Sequence, residues 1–402
     1  MDRTLSHEPP VSARTDSAPK AAPGGGRVVS IDALRGFDMF WIIGGRAVFL
    51  AIVGLFVTDL PPSLQEQMDH PAWVGFSAWD MIMPLFLFVV GAVMPFSFAR
   101  RLEEGQSKAQ LYRKIVIRTL VLFVLGMVAQ GNLLDFDLST LHIYSNTLQA
   151  IACGYFVAAM LLLDLSVFWQ IVITAALLVG YWELLMVIPV PGYEAGILEP
   201  RLNLARYIDQ AILGRFVDGT TYTWILSGMG FAATVMLGVF SGQLLRSRQH
   251  PWLKVLYLVL IGLGCLGLGW LWSPWFPIIK HIWSSSMVLW AGGWSFLLLA
   301  LFYAAIDVIG LKWLAYPFVV IGANAIAVYM VTRLVDFHHV SDPFVAGLAR
   351  HLDSFRGVLY RVAAGQTLHE VGCGEAFRDV AAFAVIWLIL LYMYRKRTFV
   401  RI

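Results

Sequence analysis

The chain has 402 residues, 59% hydrophobic and only 14% charged, with 29 Lys and Arg against 26 Asp and Glu for a formal net charge of +3. A soluble globular domain lies nearer half apolar and a quarter charged, so that class is excluded. Repeated apolar runs of about 18–22 residues are long enough to cross a hydrocarbon core of about 30 Å. They do not alternate apolar with polar residues, which excludes a transmembrane β-barrel. No nucleic-acid partner is expected.

Residues 1–27 are rich in Pro, Ala, Ser and Gly and are predicted to form a disordered cytoplasmic tail. They do not read as a cleaved signal peptide, because the first apolar run follows a long polar segment and contains Arg35, Asp38 and Arg46. From there the apolar runs fall at about 29–57, 80–99, 115–132, 147–163, 167–189, 222–245, 253–272, 285–306, 314–334 and 378–395. Residues 28–402 are therefore read as a single all-α transmembrane bundle of about ten spans. Only Asp164, Leu165 and Ser166 separate the fourth span from the fifth.

The connections alternate in character. Arg100, Arg101, Lys108, Arg113 and Lys114 follow the second span, Arg246, Arg248 and Lys254 the sixth, and Arg395, Lys396, Arg397 and Arg401 the last. The stretches 58–79 and 133–146 hold no Lys or Arg. Positive-inside bias then places both termini in the cytoplasm, with 58–79, 133–146 and 335–377 outside. A short amphipathic helix is predicted around 342–361.

Ionisable groups within a span cost at least a few kcal/mol unless they face protein or water. Asp32, Arg35 and Asp38 recur at i, i+3 along one face, either as a self-neutralising triplet or with Arg35 turned to an inward cavity to bind an anion. Arg46 lies about 16 Å further along the helix and is expected to line a cavity. Asn146, Gln149 and Asn324 suit either bridges between helices or polar contacts to a substrate. Lys280 precedes the eighth span, where a snorkelling lysine is ordinary. Cys153, Cys265 and Cys373 have neither metal-like spacing nor a disulfide framework.

His70 and Asp80 flank Trp73, Phe76 and Trp79 just before the second span. Asp80 suits an N-terminal helix cap. If the intervening segment folds back, it also suits a carboxylate holding one ring nitrogen of His70 and leaving the other as a base.

Five stretches, SIDALRGFDMFWIIGG, HPAWVGFSAWDMIMPLFLFVVG, NTLQAIACGYFVAAML, IWSSSMVLWAGGWSFLLLALFY and GANAIAVY, together resemble the bacterial relatives of heparan-α-glucosaminide N-acetyltransferase. That family moves acetyl from acetyl-CoA to a terminal glucosamine. The resemblance implies that His70 is the active-site histidine and that Asp80 belongs to the same block. Gln149 matches a Leu-Gln-Arg element of the family in which this chain has Ala150 for the arginine, and Asn324 matches a late asparagine. Arg46 falls near the place where the animal enzyme has an asparagine. A large amino-terminal lumenal domain is expected to be missing, with one span fewer, and dimerisation in the family makes a homodimer an expectation.

The resulting expectation is an acetyl-CoA-dependent N-acetyltransferase in a bacterial inner membrane. Acetyl would pass from cytoplasmic acetyl-CoA to an amino sugar or other glycan at the outer face, with His70 as base or acyl carrier. Arg35, Arg46, Arg113 and Arg118 are the candidates for the donor, and Trp73, Asn146, Gln149, Lys280 and Asn324 for the acceptor. The alternative is a transporter or flippase of a small polar or sugar-linked solute.

Overall fold

The computed structural model describes residues 28–364 and 367–400; the expected tail at 1–27 lies outside them. The architecture is a helical bundle with one small hairpin. In chain order it comprises α1 (Val29–Phe40), α2 (Arg46–Gly54), α3 (Pro62–Gln67), α4 (Ile82–Glu103), α5 (Lys108–Gln130), α6 (Thr147–Asp164) and α7 (Val167–Val187). Then come α8 (Leu204–Leu213), α9 (Gly228–Arg246), α10 (Pro251–Trp272), α11 (Ser285–Phe302), α12 (Lys312–Gly322), α13 (Ala325–Leu334) and α14 (Phe337–Arg356). Strands β1 (Val358–Ala364) and β2 (Thr367–Gly372) precede α15 (Cys373–Arg395).

Among the described residues, eight helical segments are long and apolar enough to cross a membrane, or nine with α12 and α13 counted as one span bent by 54° at Asn324. The expected third span is helix α5, which is outside that set. Lys108, Arg113, Lys114 and Arg118 make its first half polar. α1 and α2 form one continuous span through a π-helical turn, Trp41–Gly45, where Gly44 adopts φ +132°.

With lipid outside, such a bundle is held by close packing of small residues rather than by hydrophobic burial alone. A Cβ on Gly91 of α4 would lie 2.0 Å from the Val235 carbonyl of α9, and one on Gly238 of α9 would lie 1.9 Å from the Phe88 carbonyl. α1 and α12 meet in the same way through Gly36 and Gly322. The start of α1 has no cap from its own sequence. Instead the Asp307 carboxylate accepts from the Val29 and Ser30 amides at 3.1 and 2.9 Å.

The segment 335–377 departs from expectation. Its helix is α14, ended by Gly357 at φ +63°, and the residues after it pair as an antiparallel hairpin. That hairpin covers the end of α2 through Leu50, Leu60, Leu359, Tyr360 and Val371. At the opposite end of the bundle, Val28 and Val400 line one cavity together with Arg100, Arg101, Arg118 and Arg246.

Candidate active site

The segment between His70 and Asp80 folds back. Gly75, at φ +131°, turns the chain and donates its amide to the Ile278 carbonyl at 2.9 Å, while the Ala78 amide donates to Gln67 at 2.8 Å. Trp73 donates its indole N–H to the Leu198 carbonyl at 2.8 Å. The loop is thus fastened to the segments around 198 and 278.

Ser77 and Asp80 then form a capping box. The Ser77 amide donates to Asp80 Oδ2 at 3.1 Å and the Asp80 amide donates to Ser77 Oγ at 3.3 Å, which satisfies free N–H groups at the helix start. The other oxygen, Oδ1, lies 2.6 Å from His70 Nδ1 and 3.1 Å from Lys280 Nζ. The cap residue is thus Ser77, and Asp80 joins it from the third position: one of its oxygens accepts from the Ser77 amide and the other holds two basic side chains. The Asp80 and Lys280 side chains are 2% and 8% exposed, whereas His70 is 39% exposed. With Nδ1 directed at a carboxylate, the imidazole has a defined orientation, and its Nε2 has no hydrogen-bond partner among the described residues.

His70, Trp79, Tyr222, Trp224, Lys280 and Arg333 lie on the wall of a cavity of about 340 Å³. The 218–224 strip of that wall is held by Asp209 of α8, whose carboxylate accepts from the Trp224 and Ile225 amides at 2.8 and 3.0 Å. Burial pushes the Asp209 carboxyl up to about 6. Trp224 is further held by stacking on Tyr144 and by donating its indole N–H to Asp218 Oδ2 at 3.2 Å. Tyr222 stacks on His281 with ring centroids 4.2 Å apart and ring planes nearly parallel. Burial and the neighbouring Lys280 charge push the His281 imidazole down to about 4, so it is neutral near pH 7. Lys280 itself is lowered by burial and supported by Asp80.

The predicted site residues separate into groups. His70, Asp80 and Lys280 come together. Asn146 is buried just behind the cavity wall, where Nδ2 donates to Gln130 Oε1 and Tyr329 Oη at 3.2 and 3.0 Å, both on residues of the wall. Gln149 is fully buried and its Oε1 accepts from the Ser145 and Asn146 amides, a loop-holding role. Trp73 is committed to Leu198 and does not line the cavity. Asn324, at the helix break, donates to the Thr398 carbonyl and accepts from the Val400 amide, which ties the tail to the other end of the bundle.

Arg35 and Arg118 line the larger cavity there, of about 810 Å³. Arg35 pairs with Asp32 at 2.9 Å, and the Arg118 guanidinium lies 4.6 Å over the Tyr155 ring. Arg113 is exposed and lines neither cavity, and Arg46 instead lies 5.3 Å over the Trp79 ring. Asp218, Tyr222, Trp224 and Arg333 were not legible as site residues, since each is ordinary in its local sequence.

The chain is 25% identical over 413 aligned positions to heparan-alpha-glucosaminide N-acetyltransferase of Mus musculus, covering 88% of this chain and 59% of that protein. It is 26% identical over 366 positions to the protein of the same name from Homo sapiens, covering 76% and 52%. The chain is a relative of that family. It spans a little over half the length of these N-acetyltransferases, and no protein-family model matches it. The likeness to the N-acetyltransferases extends through most of the bundle, and its apolar helices make the chain an integral membrane protein.

Proposed function

We propose that this protein is a membrane acetyltransferase that moves acetyl from acetyl-CoA to an amine or hydroxyl of a glycan acceptor. The observation that carries the reading is the His70 Nδ1–Asp80 contact of 2.6 Å on the wall of a cavity, with Nε2 unpartnered among the described residues. A carboxylate that orients one ring nitrogen leaves the other available to take a proton. When the acceptor attacks the thioester carbonyl, a C–N or C–O bond forms and the C–S bond breaks. His70 Nε2 takes the acceptor's proton and passes it to the departing sulfur, a role typically worth about 10²–10⁴ in rate. A covalent acetyl-His70 uses the same nitrogen as nucleophile. Asp218 on the cavity wall suits a cationic amine acceptor.

The basic end of the bundle supports entry of the donor from the cytoplasm. Arg100 and Arg246 there are paired with Glu104 and Glu103 at 2.9 and 3.2 Å, while Arg101 and Arg118 have no carboxylate partner among the described residues. Those two suit the CoA phosphates by charge-assisted hydrogen bonds. Positive-inside bias supports a cytoplasmic side for this end, with His70 then toward the outer face.

The test is release of free CoA from acetyl-CoA by purified wild type and His70→Ala in detergent, with and without glucosamine. Acceptor-stimulated release by wild type alone is expected; equal release by both removes His70 from the chemistry. A bent helix pair and two cavities along the bundle also suit a transporter. Solute uptake by proteoliposomes without any thioester, with no CoA release, favours that second reading.

A further inference from the structure

Besides His70 and the Asp80-bound Lys280, the smaller cavity is lined by two charged side chains, Asp218 and Arg333. Asp218 accepts from the Thr220 amide and hydroxyl at 3.0 and 2.9 Å and from the Trp224 indole at 3.2 Å, so it is held by neutral donors. Arg333 is exposed, lies 5.4 Å over the Tyr329 ring, and has no carboxylate or hydrogen-bond partner among the described residues. That ring is itself fixed, because Tyr329 Oη accepts from Asn146 Nδ2 at 3.0 Å. The guanidinium is therefore positioned on the cavity wall with its N–H donors unspent.

Arg333 also stands at a boundary, in the last turn of α13. On that helix Ala325, Ile326, Tyr329 and Arg333 face the cavities. Val331, Leu334 and the following Val335 lie on the opposite side and are exposed. The outer part of α13 is thus a wall one helix thick between the His70 cavity and the apolar surface of the bundle, with Arg333 at its rim. An arginine at the end of an apolar span holds its charge at the depth of the lipid headgroups, and its planar fork suits the oxygens of a phosphate. The cavity, at about 340 Å³, is near the lower bound of small-molecule sites and suits a single sugar unit. An alkyl chain lying along Val331 and Leu334 would bring an attached phosphate to Arg333 and a sugar beyond it into the cavity.

We propose that Arg333 is a phosphate subsite and that the acceptor is an amino sugar carried on a lipid phosphate. The phosphate sits at Arg333, the sugar lies in the cavity with its ammonium toward Asp218, and the alkyl chain stays outside α13. This names the acceptor of the acetyltransferase reading and rests on that reading. A water-soluble amino-sugar phosphate offers Arg333 the same group, and the test separates the two sources.

The test measures equilibrium binding to the full chain in phosphatidylcholine nanodiscs, with wild type, Arg333→Gln and Arg333→Lys side by side. Two pairs of radiolabelled probes are used: glucosamine-1-phosphate against glucosamine, and the farnesyl ester of glucosamine-1-phosphate against farnesyl glucosaminide. The second pair shares its alkyl chain, so partition into the bilayer cancels within it. In wild type the phosphate-bearing member of each pair should bind about tenfold tighter than its partner. Arg333→Gln should bring each ratio to within about twofold of unity, and Arg333→Lys, which keeps the charge without the fork, should give an intermediate value. Equal affinities within both pairs in wild type, or ratios that survive in folded Arg333→Gln, would overturn the phosphate subsite. A preference confined to the soluble pair would overturn the lipid-borne acceptor and assign the site to a free sugar phosphate. The readout needs no thioester, so glucosamine-stimulated CoA release without an Arg333-dependent preference refutes the subsite alone. An Arg333-dependent preference without CoA release in the presence of either phosphate ester refutes the acetyltransferase reading alone.

Discussion

Replacing Asp80 with Asn separates its two duties. The amide oxygen of Asn still accepts from the Ser77 amide, which now lies 3.1 Å from Oδ2, so the capping box is expected to survive. What disappears is the charge. Lys280 Nζ, on a side chain 8% exposed and 3.1 Å from Oδ1, keeps its charge without a carboxylate to meet it. At an effective dielectric of about 20, that attraction is about 5 kcal/mol, and removing one member of a buried pair typically costs about 3–5 kcal/mol. The amide also presents N–H to His70 Nδ1 and so favours the proton on Nε2, where the base is needed. Acceptor-dependent CoA release should fall by about 10²–10⁴, and the protein should melt earlier in detergent. His70→Ala should lose the same activity with little loss of stability, because His70 is 39% exposed and contributes one side-chain bond. In the double variant activity should fall by no more than about twofold below either single one, as for residues that act as a unit. An Asp80→Asn protein that turns over within about threefold of wild type and melts at the same temperature would refute the assignment of Asp80 to both roles.

Arg118→Gln should raise the KM for acetyl-CoA by about tenfold while leaving that for an acetylated pantetheine without nucleotide phosphates unchanged, measured by CoA or pantetheine release. Gly238→Ala should destabilise the bundle by about 1–3 kcal/mol or prevent folding, since its Cβ would lie 1.9 Å from the Phe88 carbonyl; detergent melting and size exclusion read this. The pH dependence of stability carries two opposite contributions. His281 is held at about 4 in the folded chain against 6.5 unfolded, so its contribution is complete above about 6.5 and is lost as the pH falls toward 4. Asp209, raised to about 6 from 3.8, has the reverse sign and favours folding as the pH falls through the same range. His281→Phe, which retains a ring to stack on Tyr222, should therefore gain stability relative to wild type on acidification from pH 6.5 to 4, and Asp209→Asn should show the opposite trend. Melting curves at both pH values check the pair.

Much of the fold was legible because membrane helices advertise themselves locally. Span positions, the break at Leu165 and Ser166 and the collection of arginines at one end follow from runs of apolar residues and from the charges between them. α5 was harder to place, since its polar first half and apolar second half belong to different surroundings. The hairpin at 358–372 was missed because it gains its order from covering α2 rather than from a strong turn signal of its own. Within the site, His70 and Asp80 were legible from spacing and resemblance. Lys280 was read equally well as a snorkelling interface lysine, and Arg46 as lining a deep cavity; the structure turns the first inward onto Asp80 and stacks the second against Trp79.

The sequence by itself determined the medium this chain lives in, its helices and the candidacy of His70, because composition and period act over a few turns at a time. Only the tertiary structure decided that Lys280, from a distant part of the chain, shares a carboxylate oxygen with His70, and that Phe86 of α4 lines both cavities. Those facts depend on how α4, α9, α13 and the 273–284 segment pack against one another. Glycine contacts between backbones join α4 to α9, and no local pattern encodes which distant segment a given helix face will meet.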